Sequence, residues 1–208
     1  REAVGLCAYA NGEWAEALGE LRASRRISGD VAHLPVMADC ERGLGRPERA
    51  LALASSPEVT RLDRGGAIEM RIVVSGARRD LGQLDAAVVS LQGPELDSSR
   101  RDPWSARLFF AYADALLAAG RVDEARTWFV AAAVADVDDV TEAAERVAAI
   151  DGGMDDQAPA GLSVDQSAAR PVDADADHDA VSNSRMSAVV VPAAQTELML
   201  VFEEPADG

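Results

Sequence analysis

What this chain lacks narrows its chemistry before any motif is read. It contains no lysine: all 20 basic residues are arginine. That absence removes Schiff-base lysines, phosphate-loop lysines and kinase-type lysines together. Cysteine is scarce. Cys7 and Cys40 are too few for a disulfide framework and point to a reducing, cytoplasmic compartment. Two histidines, His33 and His178, leave little for metal or acid–base chemistry. The only aromatics are three Trp, two Tyr and four Phe in 208 residues. No apolar run approaches the ~18 residues of a membrane span. Positive charge is in deficit, with 36 acidic residues against 20 basic for a net charge of -16. Such an excess disfavours non-specific attachment to nucleic acid or to a membrane surface, since both need a basic footprint.

The charge is unevenly spread. Residues 1–150 hold 24 acids and 18 arginines, net -6, whereas residues 151–208 hold 12 acids and 2 arginines, net -10. The shift begins at a glycine-containing stretch, Asp151–Gly153, and continues through Pro159, Gly161 and the run Asp173–Asp179. Low hydrophobicity with high charge cannot offset the entropy of ordering a chain, so 151–208 reads as an acidic, largely disordered tail. Two short apolar islands, Ala188–Val191 and Leu198–Phe202, interrupt it. The Asp173/Asp175/Asp177 spacing resembles the opening of a calcium loop. His178 and Ser184 stand where such a loop needs Gly and a bidentate Glu, so no metal site is expected. The chain opens on Arg1 inside a helical pattern, which reads as a piece of a longer protein.

An internal repeat organises residues 1–150. Four segments share a frame: Gly12–Leu18, Gly45–Leu51, Gly82–Val88 and Gly120–Arg126, their glycines 33, 37 and 38 residues apart. Ala stands five after each glycine (Ala17, Ala50, Ala87, Ala125). A small residue stands seven before it (Gly5, Ala38, Ser75, Ala113). Apolar residues recur at plus nine (Leu21, Ala54, Leu91, Phe129), and Trp14, Leu84 and Val122 at plus two, with Pro47 the exception. This spacing predicts helical hairpins. A helix ends on a left-handed glycine, the next starts about two residues later, and small residues let the two backbones approach. Asp30 and Asp102 are expected to cap helices carrying Pro35 and Pro103. Asp138 or Asp139 is expected to cap a last helix, Val140–Ile150. Longer linkers are expected at Ser55–Gly66 and Gln92–Arg101.

With a period near 34 residues, the chain resembles the tetratricopeptide-repeat (TPR) family, in the form met in actinobacterial TPR-containing proteins, on the stretch Pro35–Ala50 and the four phased segments. The resemblance covers about residues 1–136, with the last helix as a solvating cap. It departs from the pattern in lacking the proline that usually precedes the next repeat. What it implies is an all-α fold: a right-handed α-solenoid of about four hairpins plus a capping helix over 1–150, followed by the acidic tail. It also implies that the first helix of each hairpin lines a concave groove. In that register the groove carries Tyr9, Arg42 and Arg79 three before each glycine, Asp39 and Asp114 six before, and Glu69 and Arg107 thirteen before. Arg42 and Arg79 would stand at its centre.

Arginine grips a carboxylate through two parallel hydrogen bonds, so a partner peptide or helix bearing Asp or Glu fits such a groove. The plainer alternative is that these arginines pair with neighbouring acids on a solvated face. The family's clamp for chaperone tails uses Lys and Asn, absent at these positions, so that partnership is not expected. The tail, ending in Leu198–Glu204, could itself dock in the groove, helped by tethering. The leading reading is therefore a non-enzymatic protein–protein interaction scaffold with no cofactor. The rival is an RNA- or nucleotide-associated repeat protein using the clusters Arg22/Arg25/Arg26 and Arg42/Arg46/Arg49. An enzyme is the weakest reading, because no nucleophile, base and oxyanion donor can be assembled. Cys7 and Cys40, at equivalent repeat positions, read as small packing residues too far apart to bridge. Six aromatics between Trp104 and Phe129 read as the packing of a terminal hairpin.

Overall fold

The computed structural model describes residues 1–155, and every regular element among them is helical. The tail beyond, with its calcium-loop spacing, apolar islands and proposed docking into the groove, lies outside the described residues. Nine α-helices follow in order: α1 Glu2–Ala10, α2 Trp14–Ser28, α3 Leu34–Gly43, α4 Pro47–Ala54, α5 Arg64–Asp80, α6 Leu84–Leu91, α7 Ser105–Ala118, α8 Val122–Ala135 and α9 Ala143–Asp155. A 3-10 turn, Pro57–Arg61, occupies the linker before α5. No helix among them is long and apolar enough to cross a membrane.

The four phased glycines make the turns. Gly12, Gly45, Gly82 and Gly120 have φ of 75°, 69°, 71° and 77°, a conformation that glycine adopts without a Cβ clash. Each turn closes the same way. The amide after the glycine donates to the carbonyl five residues before it: Glu13 to Ala8, Arg46 to Glu41, Gln83 to Arg78, and Arg121 to Leu116, all at 2.8–2.9 Å. This satisfies a helix-end carbonyl and reverses the chain within two residues. The paired helices α1/α2, α3/α4, α5/α6 and α7/α8 then pack closely. Ala17, Ala50, Ala87 and Ala125 are buried in these contacts, facing Gly5, Ala38, Ser75 and Ala113, themselves buried. A Cβ on Gly5 would stand 2.8 Å from Leu21 Cγ, so the closest approach depends on glycine. Ser75 turns its hydroxyl inward and donates to the Ala87 carbonyl at 3.0 Å, spanning the α5/α6 hairpin.

Successive hairpins stack through both of their helices. The second helix of each packs on the first of the next (α2 on α3, α4 on α5, α6 on α7, and α8 on α9), and the first helices pack in series (α3 on α5, α5 on α7). Two apolar clusters result, and α5 joins them. Its Met70, Val73 and Ala77 belong to the cluster with Leu18, Leu21, Leu34 and Met37, while its Ile68 belongs to the one with Leu91, Leu108, Phe109 and Phe129. The aromatics of the fourth hairpin pack at steep ring angles, edge to face in Phe110–Phe129 and Tyr112–Trp128 and tilted in Phe109–Trp128. Phe109–Trp128, Phe110–Phe129 and Tyr112–Trp128 have ring centroids 5.4, 5.3 and 5.2 Å apart.

Several expected helix starts are corrected. Asp30 accepts from the Ala32 amide in the turn before α3, whose cap position is His33. Asp102 faces Arg100 instead of capping α7. The cap that does form is Asp63, which accepts from the Gly66 amide at 2.7 Å and starts α5. The last helix begins at Ala143, not Val140, because Asp136 holds the Val140 and Thr141 amides in a turn. It also runs through the expected break at Asp151–Gly153. There Asp151 receives two hydrogen bonds from Arg126 of α8, at 2.5 and 2.7 Å, tying α9 to the preceding hairpin. Cys40 is buried as a packing residue, but Cys7 is exposed.

Candidate functional site

The seven residues assigned to the groove do converge, on the first helices. Tyr9 of α1 donates its hydroxyl proton to Asp39 Oδ2 of α3 at 2.7 Å. Arg42, one turn along α3, donates to Asp39 Oδ1 at 2.8 Å and reaches α5, where its Nε meets Asp80 Oδ2 at 2.8 Å. Arg79 of α5 pairs with Asp114 of α7. Arg107 of α7 reaches back to Glu69 of α5 at 2.7 Å. Apart from Arg42–Asp39 within α3, partners in these pairs stand 30, 35 or 38 residues apart, about one repeat, so those bonds link one hairpin to the next. The result is a polar row across α1, α3, α5 and α7, with its arginines and acids only part-exposed.

The contacts match the plainer of the two readings, in which Arg42 and Arg79 pair with neighbouring acids. Arg42 uses Nε, Nη1 and Nη2 on Asp39 and Asp80. It lies so close over α5 that a Cβ on Gly76 would fall inside its guanidinium. The burial that works against its charge is outweighed by the two carboxylates, which hold its pKa above the ordinary value. Arg79 and Arg107 are each bound through one nitrogen, leaving donors of each without a protein acceptor among the described residues. Burial, reinforced by Asp39, raises the Tyr9 phenol far above its usual range and keeps it a donor. Glu69 is raised by burial and by Asp39, with Arg107 opposing. Counting Asp80, four acids face three arginines, so the row carries no positive surplus with which to attract an acidic partner.

The positive surplus lies elsewhere. A cleft of about 900 Å³ opens between α2, α3 and α4, with Arg22, Arg25 and Arg26 on one wall and Arg49 on another. Arg61, from the 3-10 turn, completes it, and Met37, Ala52 and Leu53 add apolar surface. Two acids stand within it. Glu41, whose side chain is 3% exposed, accepts from Arg22 at 2.6 Å and lies 3.7 Å from Arg46. Glu58 accepts from Arg25 at 2.7 Å. The two arginine clusters read from the sequence are thus divided. Arg49 joins Arg22, Arg25 and Arg26, whereas Arg42 turns into the polar row. Arg71 of α5 clamps the carbonyls of Ser90 and Leu91 at the end of α6.

Sequence reasoning missed Asp80, Arg61 and Glu58. Asp80 stands two before Gly82, and the repeat frame that found Arg79 could have found it. Arg61 and Glu58 come from a linker outside that frame, so no periodic signal marks them. His33, a surface residue near the α3 start, contacts Glu2 of α1 at 2.9 Å. No group of three or more His, Cys, Asp or Glu among the described residues is placed to hold a metal ion. No protein-family model, curated protein or solved structure matches the chain.

Proposed function

We propose that this chain is a TPR-like right-handed α-solenoid that works as a non-enzymatic interaction scaffold, holding a segment of a partner protein along its first helices. The observation that carries this reading is the polar row. Its pairs join the first helices of four hairpins in turn and recur at about the repeat spacing, so it presents a series of donors and acceptors along which a segment could lie. Arg79, Arg107 and the part-exposed carboxylates retain hydrogen-bonding capacity that the described residues do not use. Because arginines and acids nearly balance, the preferred partner is polar with both charge signs, not uniformly acidic. Backbone groups of the segment would meet the row's side chains, with aliphatic contacts from residues such as Leu6 and Leu117 at its margins.

The test is retention of a partner by the intact chain and by an Arg79→Gln/Arg107→Gln variant. Both are checked for unchanged helicity and binding is measured at two salt concentrations. The reading expects a discrete partner retained by the native chain and lost by the variant, with modest salt sensitivity. Equal retention by both chains removes the row from the function. Binding that collapses steeply with salt would instead favour nucleic acid as the ligand.

A further inference from the structure

The arginine cleft is distinct from the polar row and calls for a different ligand. We propose that the cleft between α2, α3 and α4 binds a small, multiply phosphorylated compound through its phosphate groups. Five arginines and two glutamates line it, a local surplus of three positive charges, whereas residues 1–150 as a whole carry a net charge of -6. Like charges gathered in one concavity repel, and acids were abundant enough to neutralise them. They do so only in part. Arg22 is held by Glu41 and Arg25 by Glu58, while Arg61 donates to the Gly29 carbonyl at 3.3 Å. Arg26 and Arg49 have no acid partner among the described residues. The two internal acids therefore act as struts: they fix two guanidiniums at the wall while the cleft keeps its field.

Ligand class follows from charge density. Each phosphate carries about −1.5 to −2 at neutral pH, so two linked phosphates match the surplus on one compact group. A peptide would need several acidic side chains ordered together, each losing rotamer freedom. Planar guanidinium forks suit phosphate oxygens, and several can share one phosphate. Apolar surface from Ala52 and Leu53 lowers the local dielectric and strengthens those contacts. Without any aromatic in its lining, the cleft offers no platform for a base. The phosphates are what it reads. At about 900 Å³ it falls within the range of small-molecule sites, about 300–1,000 Å³, and leaves room beyond two phosphates.

Calorimetric titration of the full 208-residue chain with inorganic pyrophosphate, and separately with ATP, tests this. Both are expected to bind, more weakly as sodium chloride is raised, and at least tenfold more weakly to Arg26→Gln/Arg49→Gln. The same loss of charge in Arg101→Gln/Arg121→Gln, outside the cleft, is expected to leave binding unchanged. ATP binding matched by inorganic tripolyphosphate identifies the phosphate chain alone as the recognised group, and ATP binding tighter than tripolyphosphate identifies a nucleotide as its source. Arg26 and Arg49 are exposed, so the double variant is expected to fold. Should circular dichroism show otherwise, Arg61→Gln carries the same expectation. The proposal is overturned if neither ligand binds at millimolar concentration, or if the cleft variant binds as the native chain does. It is equally overturned if sulfate matches pyrophosphate, or if an oligoglutamate peptide displaces it at lower concentration.

Discussion

At the scale of single residues, the two cysteines show how equivalent repeat positions come to differ. Cys7 and Cys40 each stand five before a turn glycine, but α3 packs against α2, α4 and α5 and buries Cys40, whereas Cys7 of α1 is exposed among the described residues. Burial, aided by Asp39 and Glu41, pushes the Cys40 thiol up to about 12. Alkylation followed by mass spectrometry is expected to add one label, on Cys7, to the native chain and a second only after unfolding. Rapid double labelling without denaturant would contradict the burial of Cys40. Gly76 offers a sharper test. In a helix interior Gly→Ala ordinarily gains about 1 kcal/mol. Here the new Cβ would displace Arg42 from Asp80, and a net loss of about 1–2 kcal/mol is expected. In an Arg42→Ala background the sign should reverse, because the obstruction is gone. Urea midpoints for the four chains measure this, and the same sign in both backgrounds would refute the Arg42–Gly76 contact.

At the scale of elements, hairpins were legible because one physical requirement repeats. A reversal within two residues needs a left-handed residue, and close packing needs small side chains at fixed offsets from it. The frame of Gly12, Gly45, Gly82 and Gly120 states both requirements, and the four turns follow it. Helix starts were less legible, because several acids near each start could serve as the cap. Asp63 caps α5 because its extended backbone aims its carboxylate at the Gly66 amide, whereas Asp30 and Asp102 stand three and two residues before the cap positions of their own helices, His33 and Trp104. The end of α9 was misjudged for a related reason. Gly152 and Gly153 weaken a helix intrinsically, but Arg126 bonding to Asp151, together with Val147 and Ile150 packed on the α7–α8 cluster, holds the helix there. Comparing a chain ended at Asp155 with one ended at Asp139 measures what α9 contributes. Loss of Ala143, Val147 and Ile150 from the cluster is expected to cost about 2–4 kcal/mol by buried apolar area, seen as a lower melting midpoint. Equal midpoints would mean that α9 does not cover the core.

At the scale of the whole molecule, acidity and stability are linked through groups shifted in opposite directions. Arg126 holds the Asp151 carboxyl below its ordinary value, Arg121 does the same for Glu124, and Glu58 is lowered first by its own backbone amide. Each contributes stability that is present above the usual carboxylate range and lost as pH falls through the lowered value. Glu69 is raised, mainly by burial, and acts in reverse: the folded chain binds its proton more tightly, so it favours folding at low pH and gives that up as pH rises. Stability is expected to fall on acidification below about pH 4, the ordinary carboxylate range. Glu69→Gln, which cannot titrate, should make the rise of stability between pH 4 and 6 steeper than in the native chain. Urea midpoints across that interval measure the slope, and an unchanged or shallower slope would show that Glu69 is not raised.

By itself the sequence determined the helical hairpins and the charge asymmetry between residues 1–150 and the tail, and it excluded lysine chemistry. These depend on backbone conformation, residue size and composition, which act locally or by simple count. It also named the residues of the polar row except Asp80, since a repeat places equivalent positions on one face. Only the tertiary structure decided what those residues do there. Arg42 meeting Asp80, Arg107 meeting Glu69, and Arg61 entering a cleft with Arg26 and Arg49 all depend on how one hairpin is set on the next. That setting comes from the packing of small and large side chains across hairpins, and a few ångströms decide whether a guanidinium pairs with an acid or faces an open cleft.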